Sequence, residues 1–166
     1  MKVQQFLDNF TILKNARLDD GSVKFKFLFI KNLKNIEEEY NKVQESLQNI
    51  IQPSEKLVEF EQKRLELLRK YSEKDNDGEI KKDIRGNAII AEDKKEEFQK
   101  EMEDLLEEYK DVIEERNKQL QEYNEILNEE FDDSNISVTK IKLDLIPDSI
   151  SMKVLDAMYS FNMIEE

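Results

Sequence analysis

The chain has 166 residues, of which 38% are hydrophobic and 39% charged, and its formal net charge is −13. This length suits one domain and allows two, and many charged residues beside three Gly and two Pro favour long helices around a thin core. Because the sequence has no His and no Cys, it excludes imidazole bases, thiolate nucleophiles, disulfides and ordinary zinc sites. Its three scattered glycines exclude a phosphate-binding loop, so we expect no cofactor and no metal.

Apolar residues never run long enough for a membrane span. The longest run covers residues 27–30, far fewer than a spanning helix or the core of a signal peptide needs. We therefore expect a cytoplasmic protein with no membrane association.

The first 29 residues predict one short helix and one ambiguous segment. Phe6, Phe10 and Leu13 have the spacing of a short amphipathic helix. In residues 22–29 apolar side chains alternate as in a strand, yet some of them also continue the helical spacing of the residues that follow. We favour a helix there.

A long apolar seam at steps of three and four residues predicts helix from residue 29 onward. Pro53 interrupts it, because proline lacks the backbone donor and clashes with the preceding turn, so we expect a kink or short break at residues 51–54. The seam consists of Phe29, Leu33, Ile36, Tyr40, Val43, Leu47, Ile50, Leu57, Leu65 and Leu68.

Residues 74–91, which we name the tip, carry turn signals. Asp-Gly at 77–78 and Gly-Asn at 86–87 lie among short β-branched runs, which predicts a turn or small β-hairpin. The Asp-rich part resembles a calcium loop, but the position that requires a bidentate Glu would be Ile84. Calcium binding is therefore not expected.

Residues 92–131 contain neither Gly nor Pro and carry a second apolar seam. We predict one continuous helix of about 40 residues, about 60 Å long at 1.5 Å per residue. Residues 92–133 hold 18 acidic and 6 basic side chains, so this segment carries most of the negative charge of the chain. The seam consists of Phe98, Met102, Leu105, Tyr109, Val112, Leu120, Tyr123 and Leu127.

The C-terminal part predicts strand and then helix. Residues 136–138 and 141–143 alternate as in a strand, Pro147 marks a turn, and Ser151 is a good N-cap for a last helix. Two seamed helices joined by the tip should pack antiparallel. The predicted fold is therefore mainly α, with a coiled-coil-like helical hairpin as an arm (39–131) and a small α+β head (1–38 with 132–166).

The order of these features resembles a family of uncharacterised proteins from bacteriophages and prophages of low-GC Gram-positive bacteria. Membership would imply a phage context and intracellular expression, and it brings no catalytic residue, because the family has no established activity. The resembling segments are MKV at 1–3, FLFIKN at 27–32, KYSEKDNDG at 70–78, IKLDLIPD at 141–148 and FNMIEE at 161–166.

Enzymatic activity is not expected. Paired carboxylates such as Glu107 and Glu108 are the only side chains left that could act as a general acid and base, and an exposed helix offers no sheltered pocket that would raise the pKa of one of them.

Basic and aromatic residues alternate at 24–27, followed by Lys31 and Lys34, and such stretches can bind single-stranded nucleic acid. The strongly negative net charge opposes direct nucleic-acid binding.

Two hypotheses of protein binding remain open. One is an inhibitor or modulator of a basic, nucleic-acid-processing or defence enzyme of the host, which would bind through an acidic face. The other is a structural or assembly protein that oligomerises through surplus apolar side chains. The acidic face consists of Glu97, Glu101, Asp104, Glu108, Asp111 and Glu115, and the predicted apolar stripe of Leu106, Ile113 and Ile126.

Overall fold

The computed structural model describes residues 1–165 and is mainly helical, as predicted, with one small parallel sheet of two strands. Short 3-10 turns cover Glu92–Lys94 and Leu143–Leu145. The elements in chain order are α1 (Val3–Lys14), α2 (Val23–Ile50), α3 (Glu55–Tyr71), α4 (Lys95–Glu108), α5 (Lys110–Asn128), β1 (Ile141–Lys142), α6 (Met152–Ser160) and β2 (Ile164–Glu165).

The chain divides into two compact units. The terminal unit combines Met1–Ile51 with the chain from Gln121 onward, and the central unit is Gln52–Leu120. These boundaries lie inside the arm that the sequence predicts at 39–131. The reason is that Tyr40, Leu47 and Phe131 contribute their side chains to the core of the terminal unit.

The core of the terminal unit is built around α1. Its apolar face buries Phe6, Phe10 and Leu13, whose spacing predicts the helix. The Phe6 ring stacks on Phe131 at 3.8 Å between centroids and meets the edge of Phe161 at 5.7 Å. Aromatic pairs of this kind stabilise beyond the burial of their area, so α1 links residues that are distant in sequence.

Helix α2 begins where the ambiguous segment 22–29 lies. The Ser22 hydroxyl accepts a hydrogen bond from the backbone N–H of Phe25 at 3.1 Å, which caps the helix at its first residue, Val23. Phe25 and Phe29 are fully buried, whereas Phe27 is exposed. The helix that we favoured for this segment is therefore confirmed. Of its three phenylalanines, Phe25 and Phe29 lie in the core and Phe27 does not.

The predicted strand is shorter than expected. β1 contains only Ile141 and Lys142, which pair in parallel with the two residues of β2. The expected strand at 136–138 is absent, and side chains of α2 bond the backbone at Ser137 and at Thr139, next to this segment. Asn35 donates to the Ser137 carbonyl, and Asn32 bonds both backbone groups of Thr139.

The break at Pro53 occurs where it is predicted. Helix α2 ends at Ile50 and α3 begins at Glu55, with the Ser54 hydroxyl accepting from the N–H of Leu57 at 3.2 Å.

The prediction of one uninterrupted helix over 92–131 is wrong at Tyr109, whose ψ of 15° separates α4 from α5. No Gly or Pro lies there. The ring of Tyr109 is held by packing 5.7 Å from Phe60, and the backbone departs from helical geometry at that residue.

In the central unit, α3 and α4 pack antiparallel. Lys63 contacts Glu108, whereas Lys70, seven residues later, contacts Glu101, seven residues earlier. Their apolar contacts centre on Phe60, Leu105 and Tyr109. Within residues 1–165, none of the helices combines the length and apolar character needed to cross a lipid bilayer.

We predict that Asn32→Ala lowers the free energy of unfolding by about 2–3 kcal/mol, because it leaves a backbone N–H and a carbonyl of Thr139 without their partner. Asn32 is fully buried, and its amide donates at 2.7 Å and accepts at 2.8 Å. Urea unfolding followed by circular dichroism measures the change. Asn35→Ala is the control, because it removes a single exposed hydrogen bond. Equal losses for the two variants would contradict this assignment.

Candidate protein-binding surface

Two clusters of Lys, Glu and Tyr join α3 to α4, and each uses a different tyrosine. In the first, Lys70 donates to both carboxylate oxygens of Glu101, at 2.7 and 3.0 Å, and the Tyr71 hydroxyl donates to the same carboxylate at 2.7 Å. These bonds, first that of Lys70 and then that of Tyr71, hold the pKa of Glu101 below its ordinary value.

The second cluster lies one heptad away. Lys63 donates to Glu108 at 2.9 Å, lies 3.3 Å from Glu59, and places its ammonium 4.8 Å from the centroid of the Tyr109 ring. The hydrogen bond of the Tyr109 hydroxyl, followed by that of Lys63, lowers the pKa of Glu59. The two clusters thus fix the register of the helix pair by charge-assisted contacts.

A shallow groove of about 370 Å³ lies between these clusters. Half-buried Leu67 and buried Leu105 line it together with the charged side chains of Lys63, Lys70 and Asp104. Every lysine of the groove already has a carboxylate partner. The groove therefore has little capacity to bind an anion.

The predicted acidic face is divided by these contacts. Glu101 and Glu108 turn toward α3 and are paired there. The other four members, Glu97, Asp104, Asp111 and Glu115, are exposed, and in the described chain no cation lies within salt-bridge distance of any of them.

Further carboxylates extend the exposed part of this surface. Four other acids of residues 96–115 are exposed and also lack an ion pair in the described chain. Together they form a band that we name the outer carboxylates. They are Glu96, Glu97, Glu103, Asp104, Glu107, Asp111, Glu114 and Glu115.

The predicted apolar stripe is not a single surface. Leu106 is 44% exposed, Ile113 is half-buried against the core of the central unit, and Ile126 packs against the core of the terminal unit. Leu120, which belongs to the predicted helical seam, is 38% exposed and lies seven residues beyond Ile113. The exposed apolar residues of α4 and α5 are therefore Leu106 and Leu120, with Ile113 between them.

The tip is a tandem repeat of one eight-residue unit. Asp75 and Asp83 each accept two backbone N–H bonds with one carboxylate oxygen, at 2.8 to 3.0 Å, and close a tight turn. Gly78 and Gly86 have φ angles of 82° and 83°, which favour glycine. Because backbone N–H groups bind the Asp83 carboxylate, first that of Asn87 and then that of Arg85, its pKa is lowered.

Three residues of this repeat bond one another in a closed ring. Glu73 N–H donates to the Ile89 carbonyl, Lys81 N–H to the Glu73 carbonyl, and Ile89 N–H to the Lys81 carbonyl, at 2.8 to 2.9 Å. The same eight-residue spacing separates the three members. The sequence signal, Lys-Asp-x-x-Gly at 74–78 and again at 82–86, could have revealed this repeat.

Metal binding finds no support in the tip. One oxygen of the Asp75 carboxylate accepts the N–H groups of Asp77 and Glu79. Across the described residues, no three His, Cys, Asp or Glu side chains come together in a group that could hold a metal ion.

A second groove, of about 850 Å³, lies between α3 and the tip. Four cations line it, Arg64, Arg69, Lys81 and Lys82, of which Arg64 and Lys81 pair with Glu61 and Glu73 at 2.9 Å. This pairing, with the carboxylates of Asp75 and Glu79 in the lining, offsets part of the positive charge.

The segment 24–27, in which basic and aromatic residues alternate, is only partly buried. Phe27 is 66% exposed although Phe25 and Phe29 are buried, and Val23 and Ile30 are exposed on the same side of α2. The sequence indicates the aromatic residues but not which of them face solvent, because both a strand and a helix fit their spacing.

No protein-family model matches the chain, and comparisons with curated proteins and with solved structures find no match either. Burial, contacts and charge therefore provide the basis for a functional assignment.

We predict that Glu101→Gln lowers the melting temperature at pH 7. A carboxylate whose pKa is lowered by folding stabilises the folded state above its ordinary pKa of about 4.3, and this contribution is lost as the pH falls through the lowered value. The difference from the unmodified protein should therefore shrink as the pH is lowered from 7 to below the ordinary pKa. Thermal unfolding by circular dichroism at pH 7 and at an acidic pH measures it. Glu107→Gln, at an exposed and unpaired position, should cause no loss at either pH, and a pH-independent loss in Glu101→Gln would contradict the proposed ion pair.

Proposed function

We propose that this protein is a non-enzymatic binding protein whose outer carboxylates dock on a basic surface of another protein. The single observation that carries the proposal is the row of eight exposed acids in residues 96–115, none of which pairs with a cation in the described chain. The two acids that do pair, Glu101 and Glu108, brace the helix from its inner side.

The spacing of these acids favours a nucleic-acid-binding partner. Residues 96–115 span about 29 Å at 1.5 Å per residue, which gives about one carboxylate per 3.6 Å of axis. Phosphates along one strand of DNA repeat at about 3.4 Å. A basic channel that binds a nucleic-acid strand would therefore meet a similar density of negative charge along α4 and the start of α5, and association should be fast and salt-dependent.

We also propose the phage context that the sequence resemblance implies, in which the target is a host enzyme. A defence nuclease or a component of transcription has the required basic channel, and a protein that inhibits it would act in the cytoplasm of the infected cell. We further propose that the antiparallel α3 and α4 are the part of the predicted helical-hairpin arm (39–131) that presents the acids to this target. The antiparallel ion pairs of the central unit support this arrangement.

An assembly role is the second candidate. The observation that favours it is the partial exposure of Leu106 and Leu120, at heptad spacing with Ile113 between them. An apolar stripe of this kind suits another helix, in a virion component or in a further copy of the chain.

We predict that reversing the exposed members of the acidic face abolishes capture of the target. The tagged protein should retain a basic host protein from a lysate of infected cells at low salt and release it at high salt, whereas the variant should retain at least about tenfold less. Mass spectrometry identifies and quantifies the captured protein. The variant carries Glu97→Lys, Asp104→Lys, Asp111→Lys and Glu115→Lys.

A control with the same change of net charge separates local from general electrostatics. It reverses four exposed acids outside α4 and α5 and should capture the target normally. Undiminished capture by the acidic-face variant would contradict the proposal, and virion proteins that resist high salt in both variants would favour the assembly role. The control carries Glu38→Lys, Glu45→Lys, Asp148→Lys and Asp156→Lys, all at exposed positions.

A further inference from the structure

The groove between α3 and the tip, which we name the tip groove, has an apolar lining that the core of the central unit does not use. Leu65 and Leu68, two members of the predicted helical seam, line it together with Ile80 and Phe98. Neither leucine belongs to the apolar cluster that α3 shares with α4, and Leu65 is 44% exposed. An apolar ligand would remove this surface from water, which is favourable.

Two cations of the tip groove are left without a carboxylate partner. Arg69 of α3 and Lys82 of the tip line the groove and are exposed, and within residues 1–165 no carboxylate lies at salt-bridge distance from either. The lining as a whole contains four cations against two carboxylates. The groove thus has a local excess of positive charge in a chain whose net charge is −13, and it favours a negatively charged ligand.

The two carboxylates of the lining differ in their availability. One oxygen of Asp75 accepts two backbone N–H groups, which keeps this side chain in its turn. The Glu79 side chain is exposed and has no ion pair in the part of the chain that the structure describes. Glu79 should therefore repel an anionic ligand, and removal of its charge should strengthen binding.

The size and the spread of the lining favour a peptide segment over a small anion. The groove measures about 850 Å³, near the upper end of the roughly 300–1,000 Å³ of ligand sites. Arg64 and Arg69 lie about 7.5 Å apart along the axis of α3, and both eight-residue units of the tip contribute to the lining. A small anion would contact only part of this surface. A chain segment can bring carboxylates to the cations and apolar side chains to the leucines.

A nucleic-acid strand fits this lining less well. Binding of single strands depends on aromatic rings that stack on successive bases. Among the described residues that line the groove, Phe98 is the one aromatic side chain, and it is half-buried. The unpaired Glu79 and the net charge of −13 add repulsion of phosphate.

We propose that the tip groove binds an acidic segment of a partner protein in which Asp or Glu lies next to apolar residues. The carboxylates of the segment bind Arg69 and Lys82, and its apolar side chains cover Leu65 and Leu68. The site involves none of the outer carboxylates, so it goes beyond the proposed function and does not depend on it. The central unit then has two binding surfaces of opposite charge.

Selection from a displayed library of random peptides against the purified full chain tests this proposal. At low ionic strength the enriched peptides should combine Asp or Glu with apolar residues. A fluorescein-labelled synthetic copy should bind in solution with a Kd, measured by fluorescence anisotropy, that rises with salt. Arg69→Glu combined with Lys82→Glu should raise this Kd at least about tenfold, whereas Glu79→Gln should lower it.

A variant with the same change of net charge elsewhere in the central unit is the matched control. Lys56→Glu combined with Lys118→Glu alters two exposed lysines outside the groove that form no salt bridge in the described chain, and it should bind like the wild type. A copy of the peptide with Lys in place of its acids should bind the variant reversed at Arg69 and Lys82 better than the wild type. This exchange separates a charge effect from misfolding, and circular dichroism verifies that the variants are folded.

Several results would overturn the proposal. These are a library that yields no enriched peptide, enriched peptides without acidic residues, and equal losses of binding in the groove variant and its control. Binding of oligothymidylate that the groove variant abolishes, with no peptide enriched, would assign the groove to nucleic acid instead. The variant that reverses the exposed members of the acidic face should bind the peptide normally, so failure of this site and failure of the proposed function are measured separately.

Discussion

The buried amide of Asn32 is the contact on which the terminal unit depends. It donates to the carbonyl of Thr139 and accepts from its N–H, so one side chain replaces a strand partner for a segment 107 residues away. The chain that follows Thr139 supplies Ile141, Met158 and Met163 to the core. An apolar residue at position 32 could fill the space but could not satisfy two backbone groups, and unpaired groups in a buried position are expensive. The polar contact therefore specifies which part of the chain lies over α2, and the apolar residues then supply most of the stabilisation.

Sequence patterns predicted the helices well, because helical periodicity and caps are local properties. The break at Pro53 and the N-cap at Ser151 needed only the residues around them. The strand at 136–138 is absent, and the backbone at Ser137 has a partner on α2, which no local pattern reveals. The split at Tyr109 likewise has no Gly or Pro to signal it, and the ring there contacts Phe60 and Lys63 of α3. The sequence predicted only part of the candidate surface. The acids were evident, but the pairing of Glu101 and Glu108 depended on the register of two helices.

Helices α4 and α5 show how one acidic segment can present several distinct surfaces. Buried Leu105 and Tyr109 face α3, and the paired Glu101 and Glu108 border that contact. The outer carboxylates cover the exposed side. Mutual repulsion among so many acids should weaken an isolated helix. The cations of α3 offset part of it, and the rest remains as negative potential on the exposed side. In these helices a narrow apolar contact with α3 and a strongly charged exterior therefore occur together.

The closed ring at Glu73, Lys81 and Ile89 has a consequence for what the tip can join. An ordinary two-stranded hairpin has two open edges, and each can act as a template for a further strand from another molecule. In a ring of three, each residue uses its N–H and its carbonyl on the other two, so the cycle presents no free edge. A third copy of the eight-residue unit, inserted by duplication, would find no place to pair. At these three residues the backbone is thus closed to strand addition, whereas Asp75 and Asp83, whose carboxylates close the two turns, and Gly78 and Gly86 with their positive φ must be kept for the segment to close in this way.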